Sequence, residues 1–242
     1  MKTLDILEAI KQSEQGLGLA DLSRVVKMPR PTVYRILTTL EARGYLDRQT
    51  EGEYRMAAKL FALQRQTSIE QELQRAARQP MEELLATCKE TLNLGTLDGG
   101  EVVVIETLES PLSVRMSSKV GNRRYPHSTA LGKVLLSGMT EEETARLIRV
   151  KGLPKMTPNT ITTRTGLLKE LNKIRKKGYA VDDQENELDG RCLGAPILDS
   201  RDRVIAALSI SAPVFRMDHE RVERLGPVLR KSCEIISNNL RG

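Results

Sequence analysis

Basic and hydroxyl-bearing side chains are concentrated near the start of the chain, in a pattern that suits contact with a phosphate backbone. Between positions 24 and 48 there are six basic residues and two acidic ones. The basic residues are Arg24, Lys27, Arg30, Arg35, Arg43 and Arg48. Phosphate neutralisation depends on local contacts, so this local surplus says more about a polyanionic partner than the net charge of +6 does.

The side chains that could read DNA lie on a helix predicted over 31–43. One stripe of this helix is apolar, with residues at i, i+3, i+4 and i+7: Val33, Ile36, Leu37 and Leu40. The opposite face carries Thr32, Arg35 and Thr39, and Arg30 stands at the helix entrance. A helix held by an apolar stripe with donors on its outer face is typical of major-groove recognition.

We expect Arg30, Thr32 and Arg35 to reach base edges in the major groove. Thr39 lies on the same outer face. Contacts to phosphate or sugar are expected from four further residues: Arg24, Lys27, Tyr34 and the hairpin residue Arg55. The alternative is that these arginines are simply the solvated face of a short helix.

A second candidate site begins at Ser128 and Thr129, which are residue types that cap helix N-termini. They would open a helix at Ala130. The first amides of that helix, on Ala130 and Leu131, have no intrahelical acceptor and would favour an anion such as a carboxylate. Three arginines precede this helix and could assist in anion capture or be merely solvated: Arg115, Arg123 and Arg124. The alternative is an ordinary capped helix without a ligand.

Polar residues on neighbouring strands could complete such a site. Ser209 and Ser211 share one face of a strand predicted over 204–212, where they would hold a polar ligand or face water. Asp182 ends one predicted strand and could accept a hydrogen bond from a ligand hydroxyl, but it would repel a second carboxylate unless protonated or paired. Cys192 begins the next strand and could line the site or be a small buried apolar residue.

The main alternative function is catalysis by a hydrolase-like site, with Cys192 as nucleophile, His127 as base and Asp182 as orienting acid. However, Cys192 lies in an apolar strand pattern, and the sequence has no nucleophile elbow, phosphate-binding glycine loop or His-Glu-x-x-His helix. Two histidines and three scattered cysteines also argue against a zinc centre. We therefore expect no enzymatic activity, no cofactor and no metal. A ligand-free architectural DNA-binding protein is a second alternative, against which the large C-terminal region argues.

The order of predicted helices and strands places these residues in two regions. Two short helices, a turn at 27–29 and a hairpin of strands at 45–48 and 53–56 are the parts of a winged helix-turn-helix. A helical pattern follows over 57–88, with an expected break near Thr67. A meander of strands is expected over 92–118, with a hairpin turn at 98–100. The remaining predicted helices are 130–137, 141–150, 165–177 and 218–240, and the remaining strands are 179–182, 192–198 and 204–212.

Composition excludes several classes of protein. The chain has 242 residues, no Trp, five Tyr and two Phe, so its cores must be aliphatic and an oligonucleotide binder built on stacking aromatics is excluded. No apolar run approaches the roughly 18 residues of a membrane span. The N-terminal residues lack a secretory pattern. Three widely spaced cysteines fit a reducing cytoplasm better than a disulfide framework.

Several segments, in this order, carry a family resemblance. Near the N-terminus they are LADLS at 19–23, MPRPTVYRIL at 28–37 and LEARGYL at 40–46. Further along they are LDGGEVV at 97–103, HSTALGKVLL at 127–136, GYAVDDQE at 178–185, GRC at 190–192, API at 195–197 and AALSISAP at 206–213. With these segments the chain resembles the IclR family of bacterial transcription regulators along essentially its whole length.

The resemblance implies an α+β architecture. Its parts would be a winged helix-turn-helix domain at 1–57, a linker helix at 58–68 and an effector-binding domain at 69–242. The last would be an α/β domain with an antiparallel, GAF-like sheet. The resemblance also implies a homodimer or a dimer of dimers, that is a homotetramer.

The implied function is regulation of transcription. We expect a repressor whose binding to double-stranded operator DNA responds to a small organic acid, with no membrane partner. In related effector domains, the positions that match Asp182 and Cys192 line the ligand cavity. The residues predicted to bind the effector are Ala130, Leu131, Asp182, Cys192, Ser209 and Ser211.

Overall fold

The chain divides into two compact units, Met1–Ile69 and Glu70–Gly242, in a computed structural model. The structure describes residues 2–11, 13, 16–49 and 52–241. Among these residues, no helix is both long and apolar enough to cross a bilayer.

The first unit is a small helical domain with a three-stranded antiparallel sheet. In chain order its elements are α1 (Lys2–Lys11), β1 (Leu17–Gly18), α2 (Leu19–Val25), α3 (Arg30–Ala42), β2 (Leu46–Arg48) and β3 (Glu53–Met56). The strands lie in the order β1-β3-β2. Its core contains Ile6, Leu22, Val33, Leu37 and Tyr54, so the predicted apolar stripe of α3 does face inward. The sequence did not predict the short β1, because Gly16 and Gly18 indicated only a break there.

A single long helix, α4, spans Ala58–Cys88. The predicted break near Thr67 is wrong, because the helix continues through Thr67 and Ser68. These two residues lower helix propensity by only about 0.5 kcal/mol each, too little to end a helix.

The second unit is built on a six-stranded, fully antiparallel sheet in the order β6-β5-β4-β9-β8-β7. The strands are β4 (Thr91–Asp98), β5 (Glu101–Leu108), β6 (Arg123–Arg124), β7 (Ala180–Asp183), β8 (Gly190–Leu198) and β9 (Val204–Pro213). The predicted meander over 92–118 is right only as far as Leu108. Residues 109–122 form an irregular segment.

Helices cover both faces of this sheet. They are α5 (Ala130–Ser137), α6 (Glu141–Lys151), α7 (Arg164–Lys177) and α8 (His219–Asn239), with a short 3₁₀ turn at Val214–Arg216 before α8. On one face of the sheet, side chains of β4, β8 and β9 such as Leu94, Leu193 and Leu208 are buried in an aliphatic core. Residues of α8 and of α4 beyond Glu70 complete this core. On the other face, Leu131 and Leu135 of α5 and Leu171 of α7 pack together with Ala207 of β9.

Threonine and aspartate caps fix where these helices begin. The side chains of Thr129, Thr140, Thr163 and Asp218 each accept a backbone N–H in the first turn of α5, α6, α7 and α8, respectively. At Thr140 the contact is a reciprocal capping box with Glu143. All four helices begin within one residue of their predicted starts.

Close packing at Gly132 holds the first turn of α5 in place. A Cβ atom built on Gly132 would lie 2.2 Å from Cα and 2.3 Å from the carbonyl oxygen of Pro126. Both atoms belong to the backbone, so a side chain here would push α5 away from the segment that precedes it.

We expect Gly132→Ala to lower the free energy of unfolding by about 1–3 kcal/mol, because overpacking against backbone outweighs the gain in helix propensity. Urea unfolding followed by circular dichroism measures this. Gly166→Ala is a matched control, since Gly166 is also the third residue of a Thr-capped helix. Its Cβ would meet side-chain atoms, the Thr163 Oγ1 at 2.9 Å and the Ile161 Cγ2 at 3.3 Å, so we expect a smaller loss. Equal stability of Gly132→Ala and the parent chain would contradict the tight fit of α5.

Candidate functional site

The six residues predicted to bind an effector surround one cavity of about 80 Å³ in the second unit. The cavity lies between the N-terminal turn of α5, the sheet and the irregular segment 109–122. Its other lining residues are Asn93, Val104, Met116, Ser117, Ser118, Arg124, Thr129, Asn186 and Glu187.

Strand register places the polar side chains side by side. Asp182 of β7 is the cross-strand partner of Cys192 on β8, and Cys192 is the partner of Ser211 on β9. Ser209, two residues earlier on β9, lies opposite Asn93 of β4. Ser209 and Ser211 are both buried, so the open alternative of a water-facing strand is wrong for this face of the sheet.

The start of α5 forms one end of the cavity. The Thr129 hydroxyl accepts a hydrogen bond from the Gly132 N–H at 3.1 Å. The cap leaves the amides of Ala130 and Leu131 without an intrahelical acceptor at the cavity wall. This turn approaches β8 closely across Gly194, where a Cβ would lie 2.8 Å from the Ala130 carbonyl and 3.2 Å from the Leu131 nitrogen.

Asp182 of β7 also lines the cavity and is only 4% exposed. Its Oδ1 accepts hydrogen bonds from the backbone amides of Glu185 at 2.8 Å and Asn186 at 3.3 Å. Burial nevertheless raises the pKa of Asp182 to about 7, because the two amides and the Lys133 charge offset only part of the desolvation. A carboxyl group whose pKa lies near neutrality therefore lines the cavity.

A buried ion pair lies behind the cavity. Lys133 of α5 is fully buried, and its ammonium group donates to a carboxylate oxygen of Glu185 and to the carbonyl of Val181. The second oxygen of Glu185, Oε2, is buried without a hydrogen-bond partner among the described residues. Burial raises the pKa of Glu185, although the neighbouring Lys133 works in the opposite direction.

Sequence reasoning missed Asn93 and the Lys133–Glu185 pair. The Asn93 amide donates to Ser211 Oγ at 3.3 Å, and Thr107 Oγ1 donates to Asn93 Oδ1 at 3.2 Å. The sequence pattern could have indicated Asn93, because side chains alternate along a strand. With Leu92 and Leu94 on the apolar face, Asn93 lies on the polar face. The Lys133–Glu185 contact spans 52 residues of sequence, and no local pattern indicates it.

The three arginines before α5 differ in their contacts. Only Arg124 lines the cavity. Arg115 pairs with Glu109 at 2.9 Å, and Arg123 pairs with Asp98 and Glu101. For Arg115 and Arg123 the structure therefore supports the alternative of solvated surface residues.

The catalytic alternative does not fit this geometry. Burial is the main cause that raises the pKa of Cys192, with the Asp182 charge adding to it, whereas a nucleophilic cysteine needs a lowered pKa. His127 is buried outside the lining of the cavity, and its Nε2 lies 3.0 Å from the carbonyl oxygen of Pro154. Burial lowers the pKa of His127, so this is a neutral histidine with a structural hydrogen bond.

The candidate nucleic-acid interface is the exposed face of α3 in the first unit. Arg30, Tyr34, Arg35 and Thr39 are exposed and Thr32 is half-buried, while Val33 and Leu37 anchor the inner face. Thr32, Arg35 and Thr39 line one groove with Thr3 of α1. Thr39 is less available than expected, because its hydroxyl donates to the carbonyl of Arg35 at 2.7 Å.

Three further predicted contact residues lie around α3. Arg24 is exposed on α2 and forms a surface ion pair with Asp21 at 3.3 Å. Lys27 occupies the turn between α2 and α3 with a positive φ of 50°. Arg55 is exposed on β3, the hairpin strand that pairs with both β1 and β2.

Both units match family models of the same family of proteins. Residues 1–50 match the family model of the IclR helix-turn-helix domain, and residues 66–238 match that of the bacterial transcriptional regulator IclR C-terminal domain. The chain is 36% identical to the HTH-type transcriptional regulator KdgR of Escherichia coli K12, over 98% of this chain and 90% of that protein. It is 30% identical to the transcriptional repressor IclR of the same strain, over 97% and 86% of the two chains.

A solved structure shows the same architecture with a bound ligand. It is an IclR homologue from Microbacterium hydrocarbonoxydans complexed with 4-hydroxybenzoate, with a TM-score of 0.66 and 26% identity. The alignment covers 99% of this chain and 97% of that one. Both named relatives are regulators of transcription.

The thiols provide a test of the site chemistry. Burial raises the pKa of Cys88, Cys192 and Cys233. We expect all three to react with a disulfide reagent at pH 8 at least about tenfold more slowly in the folded protein than in urea, because the thiolate is the reactive form. Mass spectrometry of the labelled peptides assigns each rate. Labelling of Cys192 in the folded protein at its unfolded rate would indicate an activated thiolate and restore the catalytic alternative.

Proposed function

Because the chain belongs to the IclR family of bacterial transcriptional regulators, we propose that it is a repressor controlled by a small organic acid. The first unit binds double-stranded operator DNA, and the acid binds in the cavity of the second unit. The observation that carries the proposal is the convergence of a helix N-terminus, two serines and a buried carboxyl group on one cavity, in a chain that also exposes a basic recognition helix.

The first unit has the features that groove binding needs. Val33 and Leu37 fix α3 in the core, so its outer face is held rigidly. Arg30 and Arg35 project from that face as donors suited to guanine edges. Lys27 and Arg55 flank the helix and would neutralise phosphates, which gives affinity and register without reading sequence.

The cavity favours a small acid with a second polar group. The helix N-terminus supplies amides for a carboxylate. Ser209, Ser211 and Asn93 supply hydroxyl and amide groups for a ligand hydroxyl or carbonyl. A volume of about 80 Å³ is well below the common range of roughly 300–1,000 Å³ for ligand pockets, which favours hydroxy or keto acids of a few carbons.

An aromatic acid is the second candidate class, since a homologue of this fold is complexed with 4-hydroxybenzoate. Such a ligand would require the cavity to widen. The irregular segment 109–122 contributes Met116, Ser117 and Ser118 to the wall and has no strand partner along most of its length, so it is the part of the wall that could move.

Regulation would follow from a shift between two states. We infer that the protein acts as a homodimer or a dimer of dimers, so that two recognition helices address half-sites about one helical turn apart. An acid that binds one conformational state more tightly changes the fraction of molecules whose two recognition helices have the spacing of the half-sites. Binding to chromosomal DNA would place the protein in the cytoplasm.

We expect Arg35→Ala to weaken operator binding by about 1–3 kcal/mol, because it removes a bidentate base contact, and to leave acid binding unchanged. Fluorescence anisotropy with a labelled promoter fragment and calorimetry with the acid measure the two activities. Arg43→Ala is the matched control, since Arg43 is equally exposed but follows the last residue of α3. Loss of both activities in Arg35→Ala would mean that the functions of the two units are wrongly assigned.

Ser209→Leu should remove the response to the acid and preserve operator binding. Ser209 is 2% exposed and lines the cavity, so a leucine side chain would occupy the ligand space. Promoter binding is measured over a range of acid concentrations. Ser209→Ala separates the steric effect from loss of the hydroxyl, and we expect it to weaken the response by only about 1 kcal/mol. A normal dose–response curve in Ser209→Leu would show that the effector binds elsewhere.

A further inference from the structure

The buried charged groups next to the cavity include more carboxyl groups than ammonium groups. Lys133 is fully buried and pairs directly with Glu185, while Glu170 of α7 is 4.0 Å from the same ammonium group. Asp182 is a further buried carboxyl group beside this pair, and among the described residues its hydrogen-bond donors are the amides of Glu185 and Asn186. When Asp182 and Glu185 are both ionised, one ammonium group neutralises two buried carboxylates incompletely.

One oxygen of Asp182 remains available to a ligand. Oδ1 accepts both amide hydrogen bonds, and no donor among the described residues reaches Oδ2. Asp182 lines the cavity that Ala130 and Leu131 close from the helix side. A carboxylate bound at those amides would therefore share a small, largely buried space with the Asp182 side chain.

The remaining charged and titratable groups around Asp182 do not cancel its charge. From the segment between β7 and β8 come Glu185 and the exposed Glu187, and from β8 comes Cys192, whose thiol is neutral. Lys133 of α5 is shared with Glu185 and Glu170, and His127 near it is neutral. Arg124 of β6 lines the cavity but is exposed to solvent.

We propose that Asp182 takes up one proton when the effector's carboxylate enters, so that the site binds a monocarboxylic acid together with a proton. This inference rests on the proposed function of the cavity. Protonated Asp182 donates a hydrogen bond from Oδ2 to the ligand, whereas ionised Asp182 would repel it. The proton comes from the solvent, and no covalent bond of the ligand changes.

Two properties of the site follow. Asp182 has a pKa of about 7 before the ligand binds, so the protonated fraction of Asp182 falls about tenfold when the pH is raised from 6 to 8. Because only the protonated form accepts the ligand, the affinity should also fall about tenfold. A ligand that places a second carboxylate against Asp182 and Glu185 should be rejected. The effector is therefore a monoanion with a neutral hydroxyl or carbonyl group, and not a dicarboxylate.

Isothermal titration calorimetry of the full chain tests the proton directly. The probes are lactate, glycerate, gluconate and 4-hydroxybenzoate, and the tightest binder is carried forward. Titrations at pH 8 in phosphate and in Tris, which differ in ionisation enthalpy, give the number of protons bound. We expect about 0.9 proton per site at pH 8, because Asp182 is mostly ionised before binding, and about 0.1 at pH 6.

Two variants assign the proton to Asp182. Asp182→Asn keeps an acceptor for the two amides and a permanent donor toward the ligand, so it should bind the acid equally well at pH 6 and pH 8 with no proton uptake. Glu142→Gln removes an exposed carboxylate of α6 that does not line the cavity, and it should retain both the proton uptake and the tenfold pH dependence. Tartronate, which replaces the terminal CH₂OH of glycerate by a carboxylate, should bind at least about tenfold more weakly than glycerate.

The outcomes separate this inference from the proposed function. Binding of an acid without proton uptake at pH 8, or an unchanged proton count in Asp182→Asn, overturns the inference and leaves the effector site intact. No binding of any of the four acids at pH 6 overturns the proposed function itself. If Asp182→Asn does not fold, the proton count of the parent chain and the ratio of glycerate to tartronate affinity decide the matter.

Discussion

The arrangement of the second unit depends on how closely the first turn of α5 approaches the sheet. Gly194 on β8 and Gly132 on α5 lack the side-chain atom that would collide with the Ala130 carbonyl and with Pro126. Without this contact the amides of Ala130 and Leu131 would be lifted away from Ser209, Ser211 and Asp182, and the cavity would lose the end that we propose to bind the carboxylate. The same turn carries Lys133, so the position of α5 also fixes the buried charges.

The buried charges of Lys133, Glu185 and Asp182 lower the stability of the fold relative to an apolar core. A buried ion pair contributes little net stability, and an additional carboxyl group beside it is unfavourable unless it is neutral. In this cavity the second carboxyl group, Asp182, faces the ligand space. The unit therefore keeps a polar, imperfectly neutralised cluster where an aliphatic core would be more stable, which is typical of a binding site.

Much of this architecture could be predicted from local patterns. The cap residues Ser128 and Thr129 predicted the start of α5, and strand alternation predicted the shared face of Ser209 and Ser211. The break near Thr67 and the strands beyond Leu108 were wrong, because weak propensity does not end a helix and Val114 and Val120 remain exposed without a strand partner. Asn93, Lys133 and Glu185 were missed because strand register and contacts between distant segments decide their positions. The DNA-contacting residues stay predictions that rest on the exposed face of α3.

The proposed function requires that the first unit binds duplex DNA through α3 while the second unit responds to an acid. The affinity of the full chain for a promoter fragment that contains its operator tests this most directly, as salt is raised from 50 to 200 mM. A scrambled fragment of equal length is measured alongside. With about six to ten phosphate contacts, affinity should fall by about 10³–10⁵-fold, and the promoter should be preferred at every salt concentration. Affinity that does not depend on salt, or equal binding to both fragments with and without the acids, would contradict the account.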